Sequence, residues 1–200
     1  MGCIRLCDRG RVERSNLNRQ FLFCDDDVGE AKVRIAAQRI QALNPHVNVV
    51  SLYEQIESDT VSALVSDAHI IVDCLDNFET RYVINEFSIA RSVPFVHAGV
   101  YGMSGQITFI HTPHTPCLRC IFPEAPGQEL FPIIGATTGV IGSLEALETL
   151  KFLTRVGKLL MNRLLIFEGD LGSFEEVSIA RNPSCPACGK QSPGSRGEED

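Results

Sequence analysis

No uninterrupted apolar run in the chain approaches the roughly 18 residues that a membrane-spanning helix needs. A secretory leader is missing too, because Arg5, Asp8 and Arg9 break any apolar segment at the N-terminus. These two absences predict a cytoplasmic protein that does not engage the membrane. Positive charge is in deficit, with a net charge of −7, which argues against nucleic acid as the main partner. A local basic site remains open, since Arg11, Arg14 and Arg19 share one loop. No Gly-x-Gly-x-x-Gly occurs, so an NAD-dependent oxidoreductase would lack its phosphate-binding fingerprint.

What is present suits one domain over 1–190, followed by a Ser-, Gly- and Glu-rich tail, 191–200, expected to be disordered. The patterning predicts a buried strand over 2–7 and a helix over 30–43, with Val33, Ala36, Ala37, Ile40 and Leu43 on one face and Asn44-Pro45 as its stop. A strand is expected over 47–52 and a short helix over 58–66, capped by Ser58 or Asp59. The apolar run 69–73 reads as a parallel strand covered on both faces. A helix over 78–92, strands over 94–100 and 106–111, a long apolar helix over 137–155 and strands near 163–168 and 173–180 complete the series. This order is that of a doubly wound, Rossmann-like α/β sheet, mostly parallel, with an antiparallel extension.

Three stretches carry chemistry. Cys117-x-x-Cys120 and Cys185-x-x-Cys188 have the paired spacing of a closed four-thiolate zinc site, with a disulfide or redox pair as the alternative. Asp73-Cys74-Leu75-Asp76-Asn77 ends a strand where doubly wound folds bind ligands. An acid there could hold magnesium, or Asp76 or Asn77 could simply cap the next helix. The third stretch begins at Asp8, at the end of the first strand, and runs through the loop Arg11–Gln20 to Lys32 in the first turn of a helix. Its acid suits a ribose hydroxyl and its cations suit phosphate.

Within that loop, Ser15-Asn16-Leu17-Asn18-Arg19-Gln20-Phe21 resembles the ATP-site signature of the ThiF/MoeB/HesA family, relatives of the ubiquitin-activating enzymes. The resemblance implies adenylation of the C-terminal carboxylate of a Gly-Gly-ended, ubiquitin-like sulfur carrier, with ATP, magnesium and a structural zinc on the two cysteine pairs. It implies that Lys32 and Arg19 meet the ATP phosphates and that Asn16 lies nearby. Asp8 would bind the ribose, and Asp76 would be the magnesium and catalytic acid position with Asn77 beside it. A separate sulfur donor protein, a molybdopterin, thiamin or related pathway, and a homodimer packed through the long helix are implied as well. Arg81 could be structural.

Two departures from the family pattern stand out. The usual opening strand and glycine loop have no counterpart, so the chain reads as starting at the second strand, which would leave a central position of the sheet vacant. No cysteine occurs in 129–136, where some relatives form a thioester, so the implied chemistry stops at adenylation. The competing expectation is an inactive remnant or partner subunit that binds carrier or nucleotide without turnover.

Overall fold

In the computed structural model, described over residues 2–127 and 132–189, strand β1 (Cys3–Cys7) leads through the polar loop and helix α1 (Lys32–Leu43) to β2 (Asn48–Leu52). The two strands pair in parallel, Cys3 opposite Asn48 and Cys7 opposite Leu52. After a short α2 (Val61–Val65), a second parallel crossover joins β3 (Ile71–Asp73), α3 (Phe78–Arg91) and β4 (Phe95–Tyr101). A tight turn at Gly102-Met103 reverses the chain into β5 (Ser104–Ile110). Helices α4 (Leu118–Ile121) and α5 (Gly135–Thr154) follow, then the hairpin β6 (Arg163–Glu168) and β7 (Ser173–Ser178). The larger sheet runs β3-β4-β5-β6-β7, parallel at its first pair and antiparallel beyond. The architecture is the Rossmann-like α/β fold with an antiparallel extension that the patterning predicts, but the described strand pairs, β1-β2 and β3-β4 parallel and β4-β5, β5-β6 and β6-β7 antiparallel, make it mixed rather than mostly parallel.

The core follows from period-two alternation along β4. Val96 and Ala98 face α5 through Ile141 and Leu144, while Phe95 faces α3 through Tyr82 and Ile84. Helix α1 buries Val33, Ile35, Ala36 and Ala37 and ends at Asn44 before Pro45. Helix α3 starts where the Asn77 side chain accepts from Thr80 N at 2.8 Å, and it stops at Ser92 in a left-handed conformation.

Several expectations need correction. β1 is not the buried strand expected over 2–7: Cys3 is exposed and Cys7 only half-buried. β3 is covered on one face only, with Val72 39% exposed. The cause is topological. Among the described residues, β1 pairs only with β2 and β3 only with β4, so each presents a bare edge and the two sheets share no hydrogen bond. Helix α2 begins at Val61, and neither Ser58 nor Asp59 caps it; the Thr60 hydroxyl instead bonds back to Gln55 O at 2.8 Å. The expected tail 191–200 lies outside the described residues. No described helix is long and apolar enough to cross a membrane.

The strand ends converge on one rim. Asp8 N donates to Leu52 O at 3.2 Å, joining the carboxyl ends of β1 and β2. Ile56, just beyond β2, packs on the same apolar cluster as Leu75 and Phe78, which lie just beyond β3. This carboxyl rim is where an open α/β sheet receives ligands.

Candidate functional site: a cationic rim and a four-cysteine cluster

At the end of β1 the chain turns through Gly10, whose N–H donates to Asp8 Oδ1 at 2.6 Å. A Cβ at Gly10 would lie 2.8 Å from that oxygen and 3.5 Å from Lys32 Cδ and Cε, so Asp8 and Lys32 flank this one glycine. Lys32 N in turn donates to Gly10 O at 3.1 Å, and the isolated bridge between Arg11 and Ala31 closes the loop on itself. The residues 12–31 are thereby folded back so that Lys32, the first residue of α1, returns beside the acid of β1.

The cations of this loop separate by their partners. Arg14 pairs with Asp25 at 3.1 Å, and Arg39 with Asp27 at 3.2 Å. Arg11 donates to Gly29 O and lies over the Tyr53 ring, 5.9 Å from its centre. Arg19 Nη1 donates to Ser15 O at 2.9 Å and Asn18 Oδ1 at 2.8 Å. Neither Arg19 nor Lys32 has an acidic partner among the described residues. Asn16 is buried, and its Oδ1 accepts from Glu13 N at 3.0 Å, which sets the loop's first turn. At Arg9, the residue after Asp8, opens a cleft of about 510 Å³ lined also by Tyr53, Glu54, Gln55, Glu57 and Thr60.

On the β3 side, the two acids of the Asp73–Asn77 stretch have different environments. Asp76 is exposed at the strand's carboxyl end, its Oδ1 3.4 Å from Asn77 Nδ2. Asn77 is the N-cap of α3, so the capping role is real for Asn77 and leaves Asp76 open to solvent. Asp73 is buried: Leu75 N donates to Oδ1 at 3.1 Å, Arg81 Nε lies 3.2 Å from Oδ2, and His97 Nδ1 lies 2.7 Å from Oδ2. Arg81 also donates to Leu75 O and, at 2.7 Å, to Ala98 O, so it ties the loop carrying Asp76 to β4. Arg81 is thus structural. Burial lowers the His97 pKa against the pull of Asp73, and Nε2 has no hydrogen-bond partner among the described residues.

Sequence reasoning missed Glu145 of α5. It is 6% exposed, and Oε1 has no hydrogen-bond partner among the described residues. Burial, with Asp73 adding, pushes its carboxyl up to about 8. No local pattern points to it, because an acid on a helix reads as solvent-facing until the packing is known. Cys74 is open to solvent on one side, yet the protein packed around it, with Glu145 and Asp73, pushes its thiol up to about 12. That thiol is not a nucleophile at neutral pH.

The four paired cysteines come together. Cys117 and Cys120 Sγ are 3.8 Å apart, Cys117 and Cys185 3.6 Å, and Cys120 and Cys188 3.4 Å, with all four within 4.8 Å of one another. A disulfide needs about 2.05 Å, whereas sulfurs at the corners of a tetrahedron with zinc–sulfur bonds of about 2.3 Å lie about 3.8 Å apart. Burial and the nearness of Cys120 push the Cys117 thiol well above its ordinary value, so ionised sulfurs here call for a cation. The set could hold a zinc ion with no open ligand position. It would join α4 to the 185–188 turn, beside Ile89 of α3.

The ThiF family model matches residues 1–187. The chain belongs to the ThiF family. It is similar to the SAMP-activating enzyme E1 of Haloferax volcanii, at 38% identity over 95% of this chain and 72% of that protein. It is also similar to the sulfur carrier protein adenylyltransferase of Thermus thermophilus, at 36% identity over 96% of this chain and 74% of that protein. Among solved structures, E. coli MccB with ATP shares the fold with a TM-score of 0.83 at 23% identity, covering 94% of this chain. This ThiF-family chain spans 59% of that MccB chain.

Proposed function

We propose that the chain forms the adenylation core of an ATP-dependent enzyme that activates the C-terminal carboxylate of a small ubiquitin-like sulfur-carrier protein. One observation carries this reading. Two cations with no acidic partner among the described residues, Arg19 on the loop that follows β1 and Lys32 at the start of α1, stand near that rim, and Lys32 flanks Gly10 together with Asp8. The relatives named for carrier activation and adenylation support it. The carrier's carboxylate would attack the α-phosphorus of ATP, forming the acyl-adenylate and releasing pyrophosphate. A carboxylate is a weak nucleophile, so the protein contributes position and charge neutralisation. Asp8 would accept from the ribose, and the cleft at Arg9 offers room for the base. Lys32 and Arg19 would offset phosphate charge, and Asn16 would shape the loop. Asp76, steadied by Asn77, would hold magnesium, which supplies further neutralisation of the phosphates when bound. Sulfur from a separate donor protein would then attack the acyl carbon of the carrier's adenylate, forming the acyl–sulfur bond and releasing AMP.

The test is pyrophosphate exchange into ATP, dependent on a Gly-Gly-ended carrier. Lys32→Ala is expected to lower exchange about 100-fold, the size seen when one donor to developing charge is removed. No exchange in the unmodified chain, or an unaltered rate in the variant, overturns the assignment.

A second reading, binding without turnover, is favoured by the bare edges of β1 and β3. It expects saturable nucleotide or carrier binding and no exchange.

We also propose that two copies pair through α5, and we assign the protein to the cytoplasm. Besides the Ile141 and Leu144 face that packs on the sheet, the helix buries Glu145, Glu148 and Thr149 and exposes Leu147, Leu150 and Leu153. Leu147→Glu is expected to convert a dimer to a monomer by light scattering. An unmodified chain that is already monomeric at high concentration would refute the pairing.

A further inference from the structure

We propose that Asn18 is a positioning residue that clips Arg19 to the N-terminus of α5, so that the helix sets the direction of the guanidinium. The inference rests on the nucleotide reading and deepens it, because it names what orients a phosphate-facing cation.

The Asn18 amide is used at both ends. Oδ1 accepts from Arg19 Nη1 at 2.8 Å, and Nδ2 donates to Ile133 O at 3.2 Å, just before α5. Ile133 is itself held, since its backbone bridges Gly102 in the β4–β5 turn. The main chain repeats the contact. A Cβ at Gly135, the first residue of α5, would run into the Asn18 carbonyl oxygen and lie 3.4 Å from Arg19 Cα. Glycine is therefore required there for the polar loop to sit against the helix. The loop belongs to the β1–β2 unit and α5 packs on β4 and β5, so the clip spans the two separately hydrogen-bonded sheets. It does so beside the cation that must meet phosphate.

Arg19 is only partly buried and has no acidic partner among the described residues. An arginine held by one backbone carbonyl of its own loop keeps much of its rotamer freedom, and each binding event must then remove that freedom. Asn18 removes it in advance. Because Nη1 makes both of these bonds, they leave Nη2 and Nε for an anion. Asn18 itself is exposed and off the core, so its replacement leaves packing intact.

The test is a double-mutant cycle on nucleotide affinity, read with a fluorescent ATP analogue plus magnesium on the full chain, so turnover is not needed. Asn18→Ala is expected to weaken binding about tenfold, the scale of a hydrogen bond to a charged group, without moving the thermal unfolding midpoint. Asn18→Asp keeps an acceptor for Arg19 and loses the donor to Ile133 O, and it should bind as poorly. In an Arg19→Ala background, Asn18→Ala should add nothing, because its effect passes through Arg19. Undiminished affinity in Asn18→Ala, or full additivity with Arg19→Ala, overturns the clip while leaving the nucleotide reading intact. No saturable binding by the unmodified chain overturns both.

Discussion

Removing zinc with a strong chelator is expected to lower the thermal unfolding midpoint of this protein by about 10 °C. Apparent zinc affinities of four-ligand structural sites run to about 10–16 kcal/mol, part of which is folding free energy. If only about 3–4 kcal/mol of that supports this fold, the shift at roughly 2–4 °C per kcal/mol reaches the stated size. The site closes a long loop. Cys117 is the N-cap of α4 and Cys120 lies within it, while Cys185 and Cys188 lie beyond β7, so a metal held here would tie the segment after β7 to the middle of the chain. Without a cation, the Cys117 thiol, pushed up by burial and by the nearness of Cys120, would have to stay protonated, and Ile89 would lose the neighbours that cover it. Cys185→Ser should reproduce most of the chelator's effect, since three thiolates hold zinc far less tightly. Metal analysis giving close to one zinc per chain, with a chelator-sensitive midpoint, is the expected outcome. Absence of metal together with four freely titrating thiols would remove this claim.

The second large effect is a pH dependence of stability centred on Glu145. In the unfolded chain its carboxyl ionises near 4.5, and in the folded chain near 8. Between these values the folded state holds the extra proton, so stability falls as pH rises, by up to about 1.4 kcal/mol per pH unit, and levels off above the folded value. The groups around it explain the direction. Burial dominates, Asp73 adds repulsion, and Arg81 offsets only part of it. His97 acts with the opposite sign. Its folded pKa lies below the ordinary 6.5, so stability falls as pH drops through that range. Glu145→Gln keeps the shape of the protonated acid and cannot ionise. It should match the parent near pH 5 and exceed it by several kcal/mol (about 3–4) at pH 8.5. Equal denaturation midpoints for the two proteins at pH 8.5 would show that Glu145 is not held neutral.

Much of the candidate site was readable before any coordinates, because its signals are local. Asp8 ends a strand, Lys32 begins a helix, Arg19 sits in a polar run, and Asp76-Asn77 follows an apolar strand. Each position depends on an element boundary that patterning places to within a few residues. The two C-x-x-C pairs were readable for the same reason, since each is a short-range spacing. The ambiguity between ligand and cap at Asp76-Asn77 had no local answer. The structure answers the capping half of it: Asn77 is the cap, and Asp76 is open to solvent.

Sequence by itself determined the strand–helix order, the family resemblance carried by residues 15–21, and the residue types available for phosphate and metal. Only the tertiary structure decided which acids are free and which are bound. Asp73 and Asp76 look alike in the chain, yet Asp73 is enclosed by Arg81 and His97, which arrive from α3 and β4. The inward turn of Glu145, the bare edges of β1 and β3 and the Asn18 clip are likewise contacts between distant segments. The physical reason is that propensity and periodicity act over a few residues. Burial, which sets charge state and hydrogen-bond partners, is a property of everything that packs around a side chain.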